Sequence, residues 1–231
     1  RDQPRSRGLG DVYKRQLSRN KHKDKIMKLA ENLPKEYLDL LNLVNWALLY
    51  KSGDNQAFNK ILEAEESRWK RAVLIDILLS ESNLEEIMKL SDLLIDYLKC
   101  YLENPYEDID SCWKLSSVLA RIGNEKAIEL YNAISSNLKI SKKINTLAYL
   151  SLIYARKNDL DAYLDLLNRE IKDDVKVFLT VVKALEVLVL HNHVAKAGIL
   201  SMKQDSHIRL MTCYITVAKT CLQKGDKNCA L

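Results

Sequence analysis

Glycine and proline are scarce, six and three in 231 residues, and phenylalanine is scarcer still at two. So few chain breakers leave little material for the turns of a β-sandwich or barrel, so a mostly helical chain is expected. Long apolar runs are missing too. The greasiest stretch, Val175 to Leu190, is interrupted by Lys176, Lys183 and Glu186. No segment therefore reads as a membrane span, and none reads as a signal peptide. The nucleophile elbow G-x-S-x-G, the zinc-protease motif H-E-x-x-H and a glycine-rich phosphate loop are all absent. No enzyme and no cofactor are expected from these residues.

What is present is a packed, charged composition: 47% hydrophobic and 29% charged. That balance belongs to a folded chain and not to a disordered one. The five cysteines, an odd number spread along the sequence, point to a reducing compartment and hence the cytoplasm.

Residues 1–16, RDQPRSRGLGDVYKRQ, differ from everything after them. They hold Pro4, Gly8 and Gly10, with Leu9 and Val12 almost the only apolar residues. Asp11-Val12-Tyr13-Lys14-Arg15-Gln16 resembles the translation of a transposon end used in sequencing libraries. The segment is expected to be a disordered, non-native addition. Setting it aside removes five basic and two acidic residues, leaving 31 basic and 29 acidic groups, a net of +2. Only seven of those basic residues are arginine. A body so near neutrality offers no electrostatic case for nucleic acid or a membrane surface.

The remaining chain repeats a short pattern: a small or polar turn residue, Asn or Asp, two residues, then usually Ala. It reads Gly53-Asp54-Asn55-Gln56-Ala57, Gly123-Asn124-Glu125-Lys126-Ala127, Asn158-Asp159-Leu160-Asp161-Ala162 and His191-Asn192-His193-Val194-Ala195. Weaker copies begin at Ser82 and Gly225. The spacings are 29, 41, 35, 33 and 34 residues, and an extra loop at Glu103–Asp108 accounts for the irregular pair. Physically, Gly or Asn ends one helix in the left-handed region, the next Asn or Asp caps the following helix, and Ala lets the two approach. Between the turns, apolar residues follow helical spacing, as in Leu160, Tyr163, Leu164, Leu167 and Ile171, or Ile87, Leu90, Leu94, Tyr97, Leu98 and Tyr101. Val175 to Leu190 is valine-rich, yet its polar residues Lys176, Thr180, Lys183 and Glu186 form a helical stripe, so a nearly buried helix is expected.

The expectation is an all-α solenoid of antiparallel helical hairpins, about 34 residues each. A helix at 22–32 should complete a preceding unit. Full hairpins should lie near 35–66, 67–103, 109–138, 140–171 and 173–203, and a sixth should begin at Asp205. Residues 17–231 then form one array of about six repeats, continued beyond the sequence at both ends.

These units resemble tetratricopeptide repeats. In the last copy Tyr214, Val217-Ala218, Cys221, Gly225-Asp226 and Ala230 occupy the family's signature places, and in the fourth Leu147, Leu150-Ser151, Tyr154 and Asn158-Asp159 do so. The resemblance covers nearly all of residues 36–231. It implies a right-handed superhelix whose first helices line a concave groove for protein segments. Residues placed to face that groove are Trp113, Ser117 and Arg121, then Asn145 and Arg156, then Lys219.

Other chemistry is weak. His191 and His193 lack further ligands nearby, and Cys213, Cys221 and Cys229 recur every eight residues, too widely for a zinc knuckle, so no metal is expected. Cys213 and Cys221 read as small core residues, and Trp69, with Ala72, Val73 and Ile77, also reads as core. The expected function is a protein-interaction scaffold holding a peptide or partner helix in the groove. The alternative is a sensor or regulatory arm of a larger ATPase or DNA-binding regulator. A helical-repeat RNA binder fits less well, because Trp113, Ala148, Val181 and Ile215 make no base-reading code.

Overall fold

The structure is a computed structural model that describes residues 34–81, 83–226 and 229. The expected addition at 1–16 and the expected helix at 22–32 lie outside the described residues, as does Ser82 of one weak repeat. Among the described residues the fold is all-α, with twelve α-helices and no strand. They are α1 (Lys35–Lys51), α2 (Asn55–Glu63), α3 (Arg68–Ser80), α4 (Leu84–Lys89), α5 (Ser91–Glu103), α6 (Ile109–Ile122), α7 (Lys126–Ile134), α8 (Ile140–Arg156), α9 (Leu160–Glu170), α10 (Asp174–Leu190), α11 (Val194–Met202) and α12 (His207–Lys224). None of the described helices is long and apolar enough to cross a membrane.

The chain divides into two compact units at Val73 and Leu74. In the first unit, α1 turns into α2 and buries Leu43, Ala57 and Ile61. The rings of Tyr50 and Phe58 stand 5.0 Å apart across that turn. Lys70 is buried beside the end of α2, where its Nζ donates to the carbonyls of Leu62 (2.7 Å) and Ala64 (2.9 Å). A cation at a helix C-terminus satisfies carbonyls that have no partner within the helix.

In the second unit, α6–α7, α8–α9 and α10–α11 form hairpins, and the long helices α6, α8, α10 and α12 pack one against the next in chain order. The core runs between them through Leu115, Leu119, Leu130 and Tyr131, then Leu147, Leu150, Tyr163 and Leu167, then Val181, Leu185, Leu188 and Leu200.

The repeated turn has one geometry throughout. Gly53, Gly123, Asn158, Asn192 and Gly225 all have positive φ, from 59° to 104°. The next residue returns its backbone N–H into the helix just ended: Asp54 to Leu49 O, Asn124 to Leu119 O, Asp159 to Tyr154 O, His193 to Leu188 O and Asp226 to Cys221 O. This is the Schellman closure. Asp54, Asn124 and Asp159 then cap the following helix, accepting from the N–H of Gln56, Lys126 and Ala162. The fourth turn departs from the expected capping role of Asn192. There Asn192 is itself the left-handed residue, and His193 precedes α11 without a side-chain cap. The contact alanine shifts accordingly: Ala57 and Ala127 are buried, whereas Ala195 is exposed and Ala197 takes the buried place.

Two further departures are local. The helical spacing expected through Ile87, Leu90, Leu94, Tyr97, Leu98 and Tyr101 is broken at Leu90 (φ −102°, ψ 15°), which separates α4 from α5. Residues 104–108 form the expected loop, closed by Asp108, which accepts from the Ser111 N–H and hydroxyl. The valine-rich α10 is a helix, capped by Asp173 at the N–H groups of Val175 and Lys176. It is buried along one side and open along the other.

Candidate functional site

The lysine and arginine contacts between successive hairpins of the second unit share one direction, whereas the Tyr131 hydroxyl donates the other way, to Glu170 (3.3 Å). The acceptor lies on the earlier element and the cation on the later one. Lys114 Nζ reaches Asp76 (2.8 Å), Lys157 reaches Glu125 (2.6 Å), Lys183 reaches Asn145 Oδ1 (2.6 Å) and Lys203 reaches Asp161 (2.6 Å). Lys142 with Asp110, Arg209 with Asp174 and Lys196 with Asn158 follow the same order. Exposed pairs of this kind contribute under about 1 kcal/mol each. Their common direction fixes which face of a hairpin meets which.

A second device works at the helix ends. Arg121 is only 4% exposed. Its guanidinium donates to Leu78 O (2.8 Å), Leu79 O (2.9 Å) and Glu81 O, at the C-terminus of α3. Arg156 donates in the same way to Arg121 O (2.8 Å) and Ala120 O (3.4 Å), at the end of α6. Lys224 donates to Val189 O (3.1 Å) and to Asn192 Oδ1, at the end of α10. Burial lowers the pKa values of both arginines from their ordinary range.

These contacts decide what the six expected groove residues do. Arg121 is buried, and its two terminal nitrogens donate within the fold. Ser117 is buried, and its hydroxyl donates to Trp113 O (3.0 Å). Trp113 is half-buried, with Lys114 Nζ 6.0 Å and Lys142 Nζ 5.9 Å from its ring. Asn145 accepts from Lys183, and Arg156 closes α6. Trp113, Ser117 and Arg121 share one side of α6. Lys219 stands apart from them, exposed on α12.

The open apolar surface lies further along the chain. Ile140 on α8, Val175 on α10 and Ile208 on α12 recur 35 and 33 residues apart, at the start of three successive long helices. All three are exposed, Val175 by 62% and Ile208 by 78%. Leu179 on α10 and Ile215 on α12 are exposed as well, and Leu190 is exposed at the far end of α10. Val175, Leu179 and Leu190 fall on one helical stripe with Lys183 and Glu186, all of them exposed. Sequence reasoning missed this surface by treating Val175 to Leu190 as buried nearly all round. The recurrence of a β-branched residue at each helix start was the available signal.

Burial pushes the His191 imidazole down to about 4, and Arg121, Arg156, His193 and Lys224 act in the same direction. Among the described residues, no three His, Cys, Asp or Glu side chains converge as metal ligands. Cys213 is buried and free, whereas Cys221, also buried, is joined to Cys229 and is not simply a core residue.

The first unit has an open cleft of about 610 Å³, lined by Leu40, Leu43, Trp46 and Trp69 with Lys35 and Glu65 at its rim. Trp69 is exposed there beneath the Arg68 guanidinium, 4.7 Å from its ring, instead of lying in the core. No family model matches the chain, and no curated protein or solved structure matches it.

Proposed function

We propose that this protein is an α-solenoid of tetratricopeptide-like hairpins and serves as a protein-interaction scaffold. It binds an amphipathic helix or an extended peptide across α8, α10 and α12. The observation that carries this reading is the exposed row Ile140, Val175 and Ile208, one residue per hairpin, widened by Leu179 and Ile215. Contiguous exposed apolar side chains rimmed by charge mark interaction surfaces. Lys183, Glu186 and Lys219 supply that rim. Burying an aliphatic anchor contributes about 1.5–3 kcal/mol, so three or four anchors suffice for micromolar binding once ordering costs are met. Left-handed turns 35, 34 and 33 residues apart, from Gly123 to Gly225, support the hairpin repeat itself.

The test is site-specific photocrosslinking from position 179, with position 129 on α7 as the control. A defined polypeptide should be captured from 179 and not from 129, and Val175→Asp should abolish its capture. Equal capture from both positions, or capture insensitive to Val175→Asp, would overturn the reading.

A further inference from the structure

Cations at the turns of the second unit are partnered differently from those between its hairpins. Lys114, Lys142, Lys157, Lys203 and Arg209 each meet a carboxylate. At the turns the acceptors are neutral. Arg121 and Arg156 donate to backbone carbonyls, Lys196 donates to Asn158 Oδ1, and Lys224 donates to Val189 O and Asn192 Oδ1. Carbonyls at a helix C-terminus carry only a fraction of a negative charge, so these contacts leave the cations largely uncompensated.

The same bonds gather the cations around His191 and His193. Asn192 stands between the two histidines and accepts from Lys224. Asn158 follows Arg156 closely in the chain and accepts from Lys196, which itself follows His193 on the first turn of α11. Arg121, Arg156, His193 and Lys224 act on His191, and Arg156 and Lys196 act on His193, with no acid among them. The acids at these turns are engaged in other bonds. Glu125 accepts from Lys157 (2.6 Å), Asp159 from the Ala162 N–H (3.1 Å) and Asp226 from the Cys229 N–H (3.0 Å). Glu81 offsets part of the charge of the buried Arg121. Arg156 and Lys224 are exposed, and His191, His193 and Lys196 are half-buried, so a solute reaches them.

We infer that this edge is an anion site that takes a free diphosphate or polyphosphate group. Arg156, Lys196 and Lys224 supply the charge, and the imidazole N–H groups of His191 and His193 supply further donors. These donors arrive from α8, α11, α12 and the turn between α10 and α11, so they suit the several acceptor oxygens of linked tetrahedral phosphates. A single carboxylate offers its oxygens in one plane and matches fewer of them. Binding adds the counter-charge that the cluster lacks, and it favours the protonated form of both imidazoles. The site lies on the turn edge and does not depend on the reading of the chain as an interaction scaffold.

The experiment titrates inorganic pyrophosphate into the 231-residue chain near neutral pH by calorimetry, against chloride at matched ionic strength. Pyrophosphate should bind, and Lys196→Gln and, independently, Lys224→Gln should each weaken it about tenfold. Lys203→Gln, which removes a cation paired with Asp161, should leave binding unchanged. In NMR spectra of the imidazole rings, bound pyrophosphate should raise the pH at which His191 and His193 take up a proton. Should Lys224→Gln melt early through loss of its bond to Val189 O, Lys196→Gln and the imidazole titration decide. No binding at millimolar pyrophosphate would overturn the inference. So would equal weakening by Lys203→Gln, or histidine titrations that pyrophosphate leaves in place. Tighter binding of an otherwise uncharged phosphoserine peptide than of pyrophosphate would overturn it too, by placing the phosphate on a partner chain.

Discussion

Arg156 occupies the space beside Gly123 that a side chain there would need. A Cβ built on Gly123 would overlap the Arg156 guanidinium, and Gly123 has φ +81°. The glycine thus has two jobs. It closes α6 in the left-handed region, and it admits the arginine that bonds the last carbonyls of α6. Gly123→Ala should lower stability by about 1–2 kcal/mol from backbone conformation alone, with a further loss as Arg156 is displaced. Gly53→Ala, where nothing lies within 4 Å of an added Cβ, should show the conformational part only. Urea melts of the two variants separate the contributions.

Arg121 should behave as a core residue. Removing its guanidinium leaves the carbonyls of Leu78, Leu79 and Glu81 without that donor in a buried place. Arg121→Met should cost about 2–4 kcal/mol. Lys219→Met, an exposed change on α12, should stay within about 0.5 kcal/mol. Chemical denaturation of both variants checks the contrast.

His191 predicts an acid limb. Its pKa is about 4 in the fold against an ordinary 6.5, so the unfolded chain takes up the proton first. Its unfavourable contribution is absent above about pH 6.5 and grows as pH falls toward 4. The melting temperature should therefore drop across that window. His191→Gln should flatten the drop, leaving the smaller part due to His193, whose pKa is lowered by burial and by Arg156 and Lys196. Melts between pH 7.5 and 4 measure it.

Asn158 separates two causes of turn stability. Its φ of 59° is tolerated by Asn and preferred by Gly. Asn158→Gly should be nearly neutral, while Asn158→Ala should cost about 1 kcal/mol. The adjacent Asp159→Ala should cost about 1 kcal/mol through loss of the Ala162 cap. If all three variants melt alike, the turn geometry is not the source of the repeat.

The helices and turns were legible because their causes are local. A Gly or Asn followed by Asn or Asp carries both the left-handed stop and the cap, and each acts within five residues. Even the exception at Asn192 stays within the same short motif. The open surface was only partly legible: Ile140, Val175 and Ile208 recur in the sequence, but their exposure depends on what arrives from elsewhere in the chain. Arg121 and Arg156 sit at the same place in successive helices, two residues before the left-handed position, as does Leu190. Arg121 is enclosed by carbonyls 40 to 43 residues earlier. Arg156 is held by carbonyls 35 and 36 residues earlier. Leu190, at the matching position, is left in solvent. Nothing in the sequence around each residue distinguishes these fates. Trp69 was misread for a related reason: its apolar neighbours Ala72, Val73 and Ile77 describe its helix but not the cleft beside it.

The lysine and arginine contacts between hairpins also give the second unit a mechanical grain. From α8 onward each long helix holds chiefly to its neighbouring long helices. A steady pull on the C-terminal end would therefore load the α10–α12 seam before the α8–α10 seam. The unit would yield as a zip does, tooth by tooth from the handle, and not as a knot that tightens until it bursts.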